Sequence, residues 1–248
     1  MNTIKKINLN PFKKVFILGG TSEIAQEICY QLLKKGTNKI HFVSRNLKKT
    51  EAFKKKITSQ YNVQISMQEI DLLNHDLNKL PDIEFFDLYI IATGYLGNSI
   101  LANNNLEEAS KIARVNYYSL IPWLSAITSE NRINKKGAIW ILSSVAGDIG
   151  RPSNYHYGAA KAALTIHCEG LLNRCHNKPF KVRIIKAGLI NTTMSWGKAS
   201  PILYKSKKYL ANNLIKSANN EGVEYWPWWW RVIIMIVSLL PRKLISKL

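Results

Sequence analysis

Short apolar runs alternate with helix-like stretches along most of this 248-residue chain. The first run, at 15–18, meets a glycine turn at 19–22, after which apolar residues recur at helical spacing as far as Gly36. The fourth run, at 86–92, is nearly all apolar, as expected of a parallel strand that has helices on both faces. The alternation predicts an α/β domain with a mostly parallel sheet and helices on both faces.

Six strands are predicted, and their order favours a Rossmann-like, doubly wound sheet. The strands are expected at 15–18, 39–43, 63–70, 86–92, 138–143 and 182–186, and the longer helices after the first at 46–60, 106–128 and 155–175. Right-handed crossovers place the carboxyl ends of such strands at one edge of the sheet. The residues expected to line a crevice at that edge, the candidate active site, are Gly19, Gly94, Ser144 and Gly188.

The turn at 19–25 and the end of the second strand are candidates for binding a dinucleotide. A glycine turn that opens a helix offers free N–H groups and a positive helix end to a pyrophosphate, although such turns occur in many α/β proteins. The second strand ends in Ser44 and Arg45, without the acid that would hold the ribose hydroxyls of NAD. Arg45 therefore favours NADP, unless it is an ordinary surface arginine. Asp71 is either an adenine contact or an ordinary loop residue.

Tyr157, Lys161 and Ser144 are the candidates for chemistry. Tyr157 and Lys161 stand four residues apart in a predicted helix, so both project from one face. An ammonium beside a phenol favours the ionised phenol, which lets tyrosine exchange a proton with a substrate oxygen near neutral pH. Ser144 ends a strand and can donate to the same oxygen. Each feature also occurs by chance or as turn chemistry, but together, in this order, they predict a carbonyl or alcohol oxidoreductase.

From the first strand to Gly188 the chain resembles the short-chain dehydrogenase/reductase family. The matching motifs are the turn 19–25, Ala92-Thr93-Gly94, Asn116, Ser144, Tyr157 with Lys161, and Ala187-Gly188 with Thr192. The resemblance implies NAD or NADP as hydride carrier, Tyr157 as proton donor and Ser144 as the group that holds the substrate oxygen. It implies that Lys161 lowers the tyrosine pKa and binds the nicotinamide ribose, and that Asn116 holds a relay water. The implied cofactor contacts are Gly19, Thr21, Ser22, Ile24, Arg45, Asp71, Leu72, Ala92, Gly94, Tyr157, Lys161, Gly188, Ile190 and Thr192.

Three positions depart from that family's pattern, and two stretches point to one of its subgroups. Glu23 and Ala25 stand where glycines are usual, and Ala187 replaces a proline. Ala25 is small enough for helix packing, whereas a Glu23 carboxylate would repel a pyrophosphate unless it points to solvent. Residues 19–24 and 240–244 resemble decaprenylphosphoryl-2-keto-erythro-pentose reductases. That likeness implies a polyprenyl-phosphate-linked keto-sugar as substrate, a flavin oxidase as partner and a role in cell-envelope glycan synthesis.

The C-terminal segment 221–248 differs in composition from the dehydrogenase-like domain 1–220. A tryptophan cluster within 225–230 precedes the apolar run 232–240, and basic residues follow, namely Arg242, Lys243 and Lys247. This apolar run is too short to span a bilayer, which takes about 20 residues. We expect an apolar and basic helical tail that either lies on an anionic membrane surface or packs on the domain or on a second subunit.

Charge and cysteine content limit the other classes. The net charge of +19 would suit a polyanion, but the lysines are scattered and no nucleic-acid-binding motif is present, so nucleic acid is not an expected partner. The three cysteines lack a metal-ligand spacing, which predicts no metal site and a reducing compartment. The N-terminus lacks the apolar region of a secretory signal. A cytoplasmic location is therefore expected, at the inner membrane face if the tail binds lipid.

Two alternatives to a keto-sugar reductase remain open. One is a soluble reductase of an unrelated small ketone or alcohol. The other is a catalytically silent NAD(P)-binding protein, suggested by Glu23 and Ala187 and opposed by the intact serine, tyrosine and lysine. In each case a homo-oligomer is expected.

Overall fold

The computed structural model of the chain describes residues 12–74, 76–197 and 200–247. Within these ranges the strands are β1 (Lys14–Leu18), β2 (Lys39–Ser44), β3 (Gln64–Glu69), β4 (Leu88–Ile91), β5 (Gly137–Ser144), β6 (Phe180–Ala187), β7 (Ile190–Asn191), β8 (Lys205–Ser206) and β9 (Gly222–Trp226). The helices are α1 (Glu23–Leu33), α2 (Leu47–Thr58), α3 (Ser99–Ala102), α4 (Leu106–Asn116), α5 (Ile121–Ile127), α6 (Glu130–Ile133), α7 (Tyr155–Arg174), α8 (Lys207–Lys216), α9 (Trp229–Ser238) and α10 (Arg242–Ile245). The N-terminal stretch that was expected not to be a secretory signal falls mainly in residues 1–11, outside the described residues.

Seven parallel strands form the central sheet, in the order β3-β2-β1-β4-β5-β6-β9. The strand order reverses between β1 and β4, which is the switch point of a doubly wound fold and the place where such folds bind ligands. One face of the sheet packs on α1, α2 and α8, and the other packs on α5 and α7. The expected Rossmann-like α/β fold is therefore confirmed, and the crevice lies at the carboxyl ends of the strands.

The seventh strand corrects the expectation of six. β9 pairs in parallel with β6 along its whole length. The fully buried guanidinium of Arg183 on β6 donates to Glu224 on β9 at 2.7 Å, to Ser217 at 2.6 Å and to the Leu214 carbonyl at 2.8 Å. A buried cation needs such partners, so these contacts fix β9 at the sheet edge. The segment expected to begin at 221 thus contributes a strand to the domain that precedes it.

The single helix expected at 106–128 is instead two helices, α4 and α5, separated by a 3₁₀ turn. Asn116 ends α4, and its side chain bonds to the loop after β4: its Nδ2 donates to the Tyr95 carbonyl at 2.6 Å, and its Oδ1 accepts from the Tyr95 amide at 3.2 Å. Tyr117 then leaves the helical region with a φ of −145°. Pro122 lies in the first turn of α5, where its missing N–H costs little. The break places Asn116 against the loop after β4.

Beyond β9 the chain forms the helical tail that the sequence predicts, as α9 and α10. No residue of α9 is buried. The apolar residues with the largest exposed fractions are Val232 (40%), Met235 (59%) and Ile236 (54%) in α9 and Leu239 (80%) directly after it. Across the described ranges, no helix is long and apolar enough to cross a membrane. A contiguous exposed apolar face of this kind marks an interaction surface.

Candidate active site

The glycine turn after β1 is shaped by close backbone contacts. Gly19 adopts a φ of +101°, and a side chain there would lie 2.8 Å from the backbone of Ala92, so only glycine fits. The amides of Gly19 and Gly20 both donate to the Val43 carbonyl, at 2.8 and 3.1 Å, which holds the turn against β2. Ser22 caps α1. The N-terminus of α1 therefore opens into the crevice, where its amides can meet an anion.

Glu23, the first residue of α1, is partly exposed, and its carboxylate has two partners. Its carboxylate accepts from the Thr193 amide at 2.7 Å and forms an ion pair with Lys207 at 2.6 Å. Burial acts to raise the pKa of Glu23, but the hydrogen bonds from Lys207 and Thr193 outweigh it and lower the pKa to about 2. The carboxylate is thus ionised at neutral pH with a cation beside it. The repulsion that the sequence suggested is offset by Lys207.

The residues expected at the adenosine end lie after neighbouring strands. Arg45 is exposed directly after β2, whereas Ser44 before it is buried. Asp71 follows β3 and accepts from the Leu73 amide at 3.1 Å, which forms a tight turn. Leu72 inside that turn is buried. Because β2 and β3 are adjacent in the sheet, Arg45 and Asp71 share one end of the crevice.

Ser144, Tyr157 and Lys161 lie together at the carboxyl end of β5. Ser144 lies near enough to Tyr157 to act on the pKa of its hydroxyl, and Lys161 Nζ lies 5.9 Å from the centroid of the Tyr157 ring. Lys161 is buried and donates to the carbonyls of Thr93 at 3.3 Å and Leu142 at 3.2 Å. The lysine therefore ties α7 to β5 and to the loop that follows β4. The three residues that the sequence singled out for chemistry are brought into one place.

Burial governs the protonation of this group. It raises the pKa of Tyr157 to about 12, against the hydrogen bond with Ser144, which acts to lower it. Burial also lowers the pKa of Lys161 to about 8. The direction for Tyr157 is the reverse of the one expected from a neighbouring ammonium, because the cost of desolvating the phenolate dominates. The Tyr157 hydroxyl is thus protonated at pH 7, and a protonated phenol can donate a proton, as the reduction of a ketone requires.

Asn116 lies beside the crevice, and both hydrogens of its Nδ2 are engaged. Besides its bonds to Tyr95, its Nδ2 donates to the Ile112 carbonyl at 2.9 Å. A relay water at Asn116 would therefore bind to Oδ1 or to a backbone atom, and not to Nδ2. Thr93 offers an unused group, since its buried Oγ1 has no hydrogen-bond partner among the described residues. A buried hydroxyl without a partner is unusual, and a ligand can supply that partner. The Thr93 hydroxyl and the turn at Gly19, where a side chain would clash with the backbone, therefore suit a bound dinucleotide.

Four more of the expected cofactor residues surround the turn. Thr21 is exposed at its rim, Ile24 is half-buried in the first turn of α1, and Ala92 is buried after β4. A side chain at Gly94 would lie 3.7 Å from the Asn116 amide oxygen. All four are placed at the carboxyl edge of the sheet that the strand order predicts.

The turn after β6 is covered by the C-terminal tail. The Gly188 amide donates to the Trp226 carbonyl at 2.9 Å. A side chain at Gly188 would lie 2.0 Å from Nε1 of Trp230, so the indole packs directly on the glycine. Ile190 is buried next to this turn, and Thr192 is partly exposed after it. Helix α9 therefore begins on the turn that was expected to contact the cofactor, a contact that the sequence does not reveal.

The sequence also does not reveal two ion pairs around the crevice. Lys186 on β6 is buried, and its ammonium donates to Asp148 and, at 3.3 Å, to the Tyr225 hydroxyl on β9. Burial acts to lower the pKa of Lys186, but its contacts with Asp148 raise the pKa overall. The second pair is Glu23 with Lys207. The paired residues are 38 and 184 positions apart, so no local spacing could have indicated either pair.

Residues 13–202 match the family model for short chain dehydrogenases. The chain belongs to the short chain dehydrogenase family. Membership confirms the oxidoreductase class that the motifs predict.

Individual relatives of this short chain dehydrogenase are distant. An uncharacterized oxidoreductase of Mycobacterium tuberculosis is 28% identical over 154 residues, which cover 62% of this chain and 62% of that protein, less than two thirds of its length. The 3-oxoacyl-[acyl-carrier-protein] reductase FabG of Chlamydia trachomatis is 25% identical, over 74% of this chain and 76% of that protein. A crystal structure of a short chain dehydrogenase from Burkholderia cenocepacia in complex with NADP superposes with a TM-score of 0.74 at 18% identity, over 95% of this chain and 97% of that one.

Proposed function

We propose that this short chain dehydrogenase uses NADP(H) to reduce a keto-sugar carried on a polyprenyl phosphate, at the surface of an anionic membrane. The observation that carries the proposal is the position of α9, which begins on Gly188 at the crevice and has an exposed apolar face. A polar sugar on a lipid carrier has to enter the crevice from a membrane surface. A helix that touches both the crevice and that surface would place the two together.

The residues of the crevice can share the work of the reduction. Reduced nicotinamide supplies the hydride when it is bound. Ser144 donates a hydrogen bond to the ketone oxygen, and Tyr157 transfers its proton to that oxygen as negative charge develops. Lys161 is largely protonated at neutral pH and lies close enough to compensate the charge left on the phenol. A water held at Asn116 would return a proton to Tyr157.

NADP is favoured over NAD by the charges at the end of β2. Arg45 is exposed there, and α2 begins beside it with Lys48 and Lys49 and no acidic residue in its first turn. A 2′-phosphate would gain a charge-assisted contact with the guanidinium. The Burkholderia relative, which shares the fold, was solved with NADP.

Replacing Arg45 with alanine is expected to weaken NADPH binding by ~1.5–3 kcal/mol, because a charge-assisted contact to phosphate is lost. Binding of NADH, which has no 2′-phosphate, should change little. Titration of both coenzymes into each protein measures the difference. Lys35→Ala removes an exposed cation just after the C-terminal end of α1 and controls for the change in net charge. If the parent binds NADH as tightly as NADPH, Arg45 does not read the phosphate.

The membrane part of the proposal depends on the tail surface, defined here as the exposed apolar side chains of α9 and Leu239 together with the basic residues around them. Trp228, just before α9, has 67% of its surface exposed and suits the boundary between headgroups and acyl chains. Arg231, Arg242 and Lys243 are exposed nearby. Each such cation near an anionic membrane contributes roughly 1 kcal/mol, and the net charge of +19 acts in the same direction. The tail surface therefore combines apolar and electrostatic attraction.

Replacing both Ile236 and Leu239 with glutamate is expected to lower partitioning onto anionic vesicles by more than about tenfold, since two apolar contacts are lost and two negative charges are added. Cosedimentation with phosphatidylglycerol vesicles at low salt measures this, and added salt should weaken binding of the parent. Leu80→Glu, at a side chain that is 63% exposed elsewhere, is the matched control. Point variants are preferable to a chain ending at 220, which would also lose β9. A parent protein that ignores anionic vesicles would contradict the membrane role.

A second candidate, reduction of a 3-oxoacyl thioester, is favoured by the similarity to the FabG reductase of Chlamydia trachomatis. The keto-sugar candidate is supported instead by the likeness of 19–24 and 240–244 to decaprenylphosphoryl-2-keto-erythro-pentose reductases, which implies a role in cell-envelope glycan synthesis. NADPH oxidation with a polyprenyl-phosphate 2-keto-pentose and with a 3-oxoacyl thioester separates the two candidates. Turnover of the thioester alone would overturn the keto-sugar proposal. A catalytically silent protein is disfavoured by the assembled Ser144, Tyr157 and Lys161.

Two partners follow from the proposal. The likeness to decaprenylphosphoryl-2-keto-erythro-pentose reductases implies a flavin oxidase as partner enzyme, which would make the ketone by oxidation of an alcohol. Self-association is supported by the exposed apolar residues Leu106 on α4 and Ile166 on α7, which are 82% and 67% exposed on two helices that pack together. We infer a homo-oligomer on that basis.

A further inference from the structure

Two helices begin facing each other beside the glycine turn, and their first residues carry opposite charges. Glu23 is the first residue of α1, and Lys207 is the first residue of α8. Their side chains form an ion pair at 2.6 Å while keeping 31% and 40% of their surface exposed. The other carboxylate oxygen of Glu23 accepts from the Thr193 amide at 2.7 Å. The pair thus joins α1, α8 and the segment after β7.

Helix electrostatics do not account for both charges. An anion at the start of α1 is favourable for that helix, but a cation at the start of α8 opposes the positive end of its own dipole. The position of Lys207 is stabilised by Glu23 rather than by its own helix. Both Glu23 oxygens have partners, and their hydrogen bonds keep the carboxylate ionised at neutral pH. An uncompensated anion here would act against any phosphate at the N-terminus of α1.

We propose that Glu23 and Lys207 are a positioning pair for the cofactor diphosphate: Lys207 cancels the charge of Glu23, and Glu23 holds the segment at Thr193 beside the glycine turn. The proposal rests on the proposed placement of NADP(H) at α1. A cavity of about 520 Å³ lies beside the pair and is lined in part by Thr192, Thr193 and Ser206. Glu23 and Lys207 themselves also line that cavity. Neither residue takes part in the chemistry, so both act through the position and charge of the binding site.

The pair predicts that loss of Lys207 is harmful only while the Glu23 carboxylate is present. Lys207→Met should weaken NADPH binding about tenfold or more, because it leaves an unpaired anion near the diphosphate. Glu23→Gln removes that charge and keeps an oxygen that can accept from Thr193, so its effect should stay within about threefold. The double variant should resemble Glu23→Gln alone. Lys207→Arg should keep the affinity of the parent.

Titration of NADPH and NADH into the full-length parent and these variants, followed by tryptophan fluorescence, is the test, with thermal unfolding of each protein alongside. Lys208→Met, at the exposed neighbouring lysine, controls for net charge. If Lys207→Met weakened NADPH binding equally in the parent and in the Glu23→Gln variant, Lys207 would contact the phosphate directly. That result would overturn the proposed pair. Lowered melting temperatures with unchanged affinity would also overturn it. A parent that binds neither coenzyme would instead contradict the proposed cofactor.

Discussion

Replacement of Tyr157 by phenylalanine is expected to lower the turnover of the ketone by about 10²-fold or more while leaving NADPH affinity within a few-fold of the parent. The variant removes the hydroxyl that we propose as the proton donor and keeps the aromatic ring, whose centroid lies 5.9 Å from Lys161 Nζ. Because burial holds the pKa of Tyr157 at about 12, the hydroxyl is protonated at pH 7 and is the proton source that the reaction loses. Steady-state NADPH oxidation and coenzyme titration measure the two effects separately.

Tyr155 provides a matched control on the same helix. Its hydroxyl donates to the Asn103 side chain at 2.8 Å, and 42% of its surface is exposed, so Tyr155→Phe makes the same chemical change two positions away. That variant should retain turnover close to the parent. Turnover of Tyr157→Phe within a few-fold of the parent on the true substrate would show that another group supplies the proton.

Much of the crevice could be predicted because its parts depend on local sequence. Gly19 has a positive φ and lies against the backbone of Ala92, so only glycine fits there, and the sequence shows this glycine at the end of the first apolar run. Tyr157 and Lys161 are one helical turn apart, which fixes their relation without knowledge of the rest of the fold. Ser144 ends an apolar run, and strand order then brings it to the same edge. Local rules and one topological rule therefore suffice for these residues.

Other features depend on contacts between distant parts of the chain. The sign of the Tyr157 pKa shift follows from how deeply α7 is buried, which the spacing to Lys161 does not reveal. The partner of Glu23 is 184 positions away, so the repulsion inferred from its charge could not be weighed against Lys207. The break after Asn116 arises because its side chain bonds to Tyr95 across a loop. In each case a tertiary contact overrides the local pattern.

The sequence did not predict β9 for a similar reason, since the contact that holds it joins Arg183 and Glu224, 41 positions apart. β9 is a partly exposed edge strand next to a tryptophan cluster, so its pattern resembles that of a tail.

Glu224→Ala is expected to lower the free energy of unfolding by about 3 kcal/mol, because it leaves Arg183 buried without its carboxylate. This is at the lower end of the usual cost, since 17% of the Glu224 side chain is exposed to water. Urea unfolding followed by circular dichroism measures the change.

Glu221 supplies the comparison that isolates burial as the cause. Glu221 lies directly before β9 and forms an ion pair at 3.6 Å with Lys181 on β6. The side chains are exposed, however, to 42% for Lys181 and 52% for Glu221. Glu221→Ala should therefore cost at most about 1 kcal/mol, as exposed pairs do. An equal loss in the two variants would mean that Arg183 finds other partners and that β9 is held by its backbone ladder alone. A larger loss for Glu224→Ala would show that the buried guanidinium of Arg183 holds the edge strand β9 in place. It would thereby also hold the start of α9 on Gly188.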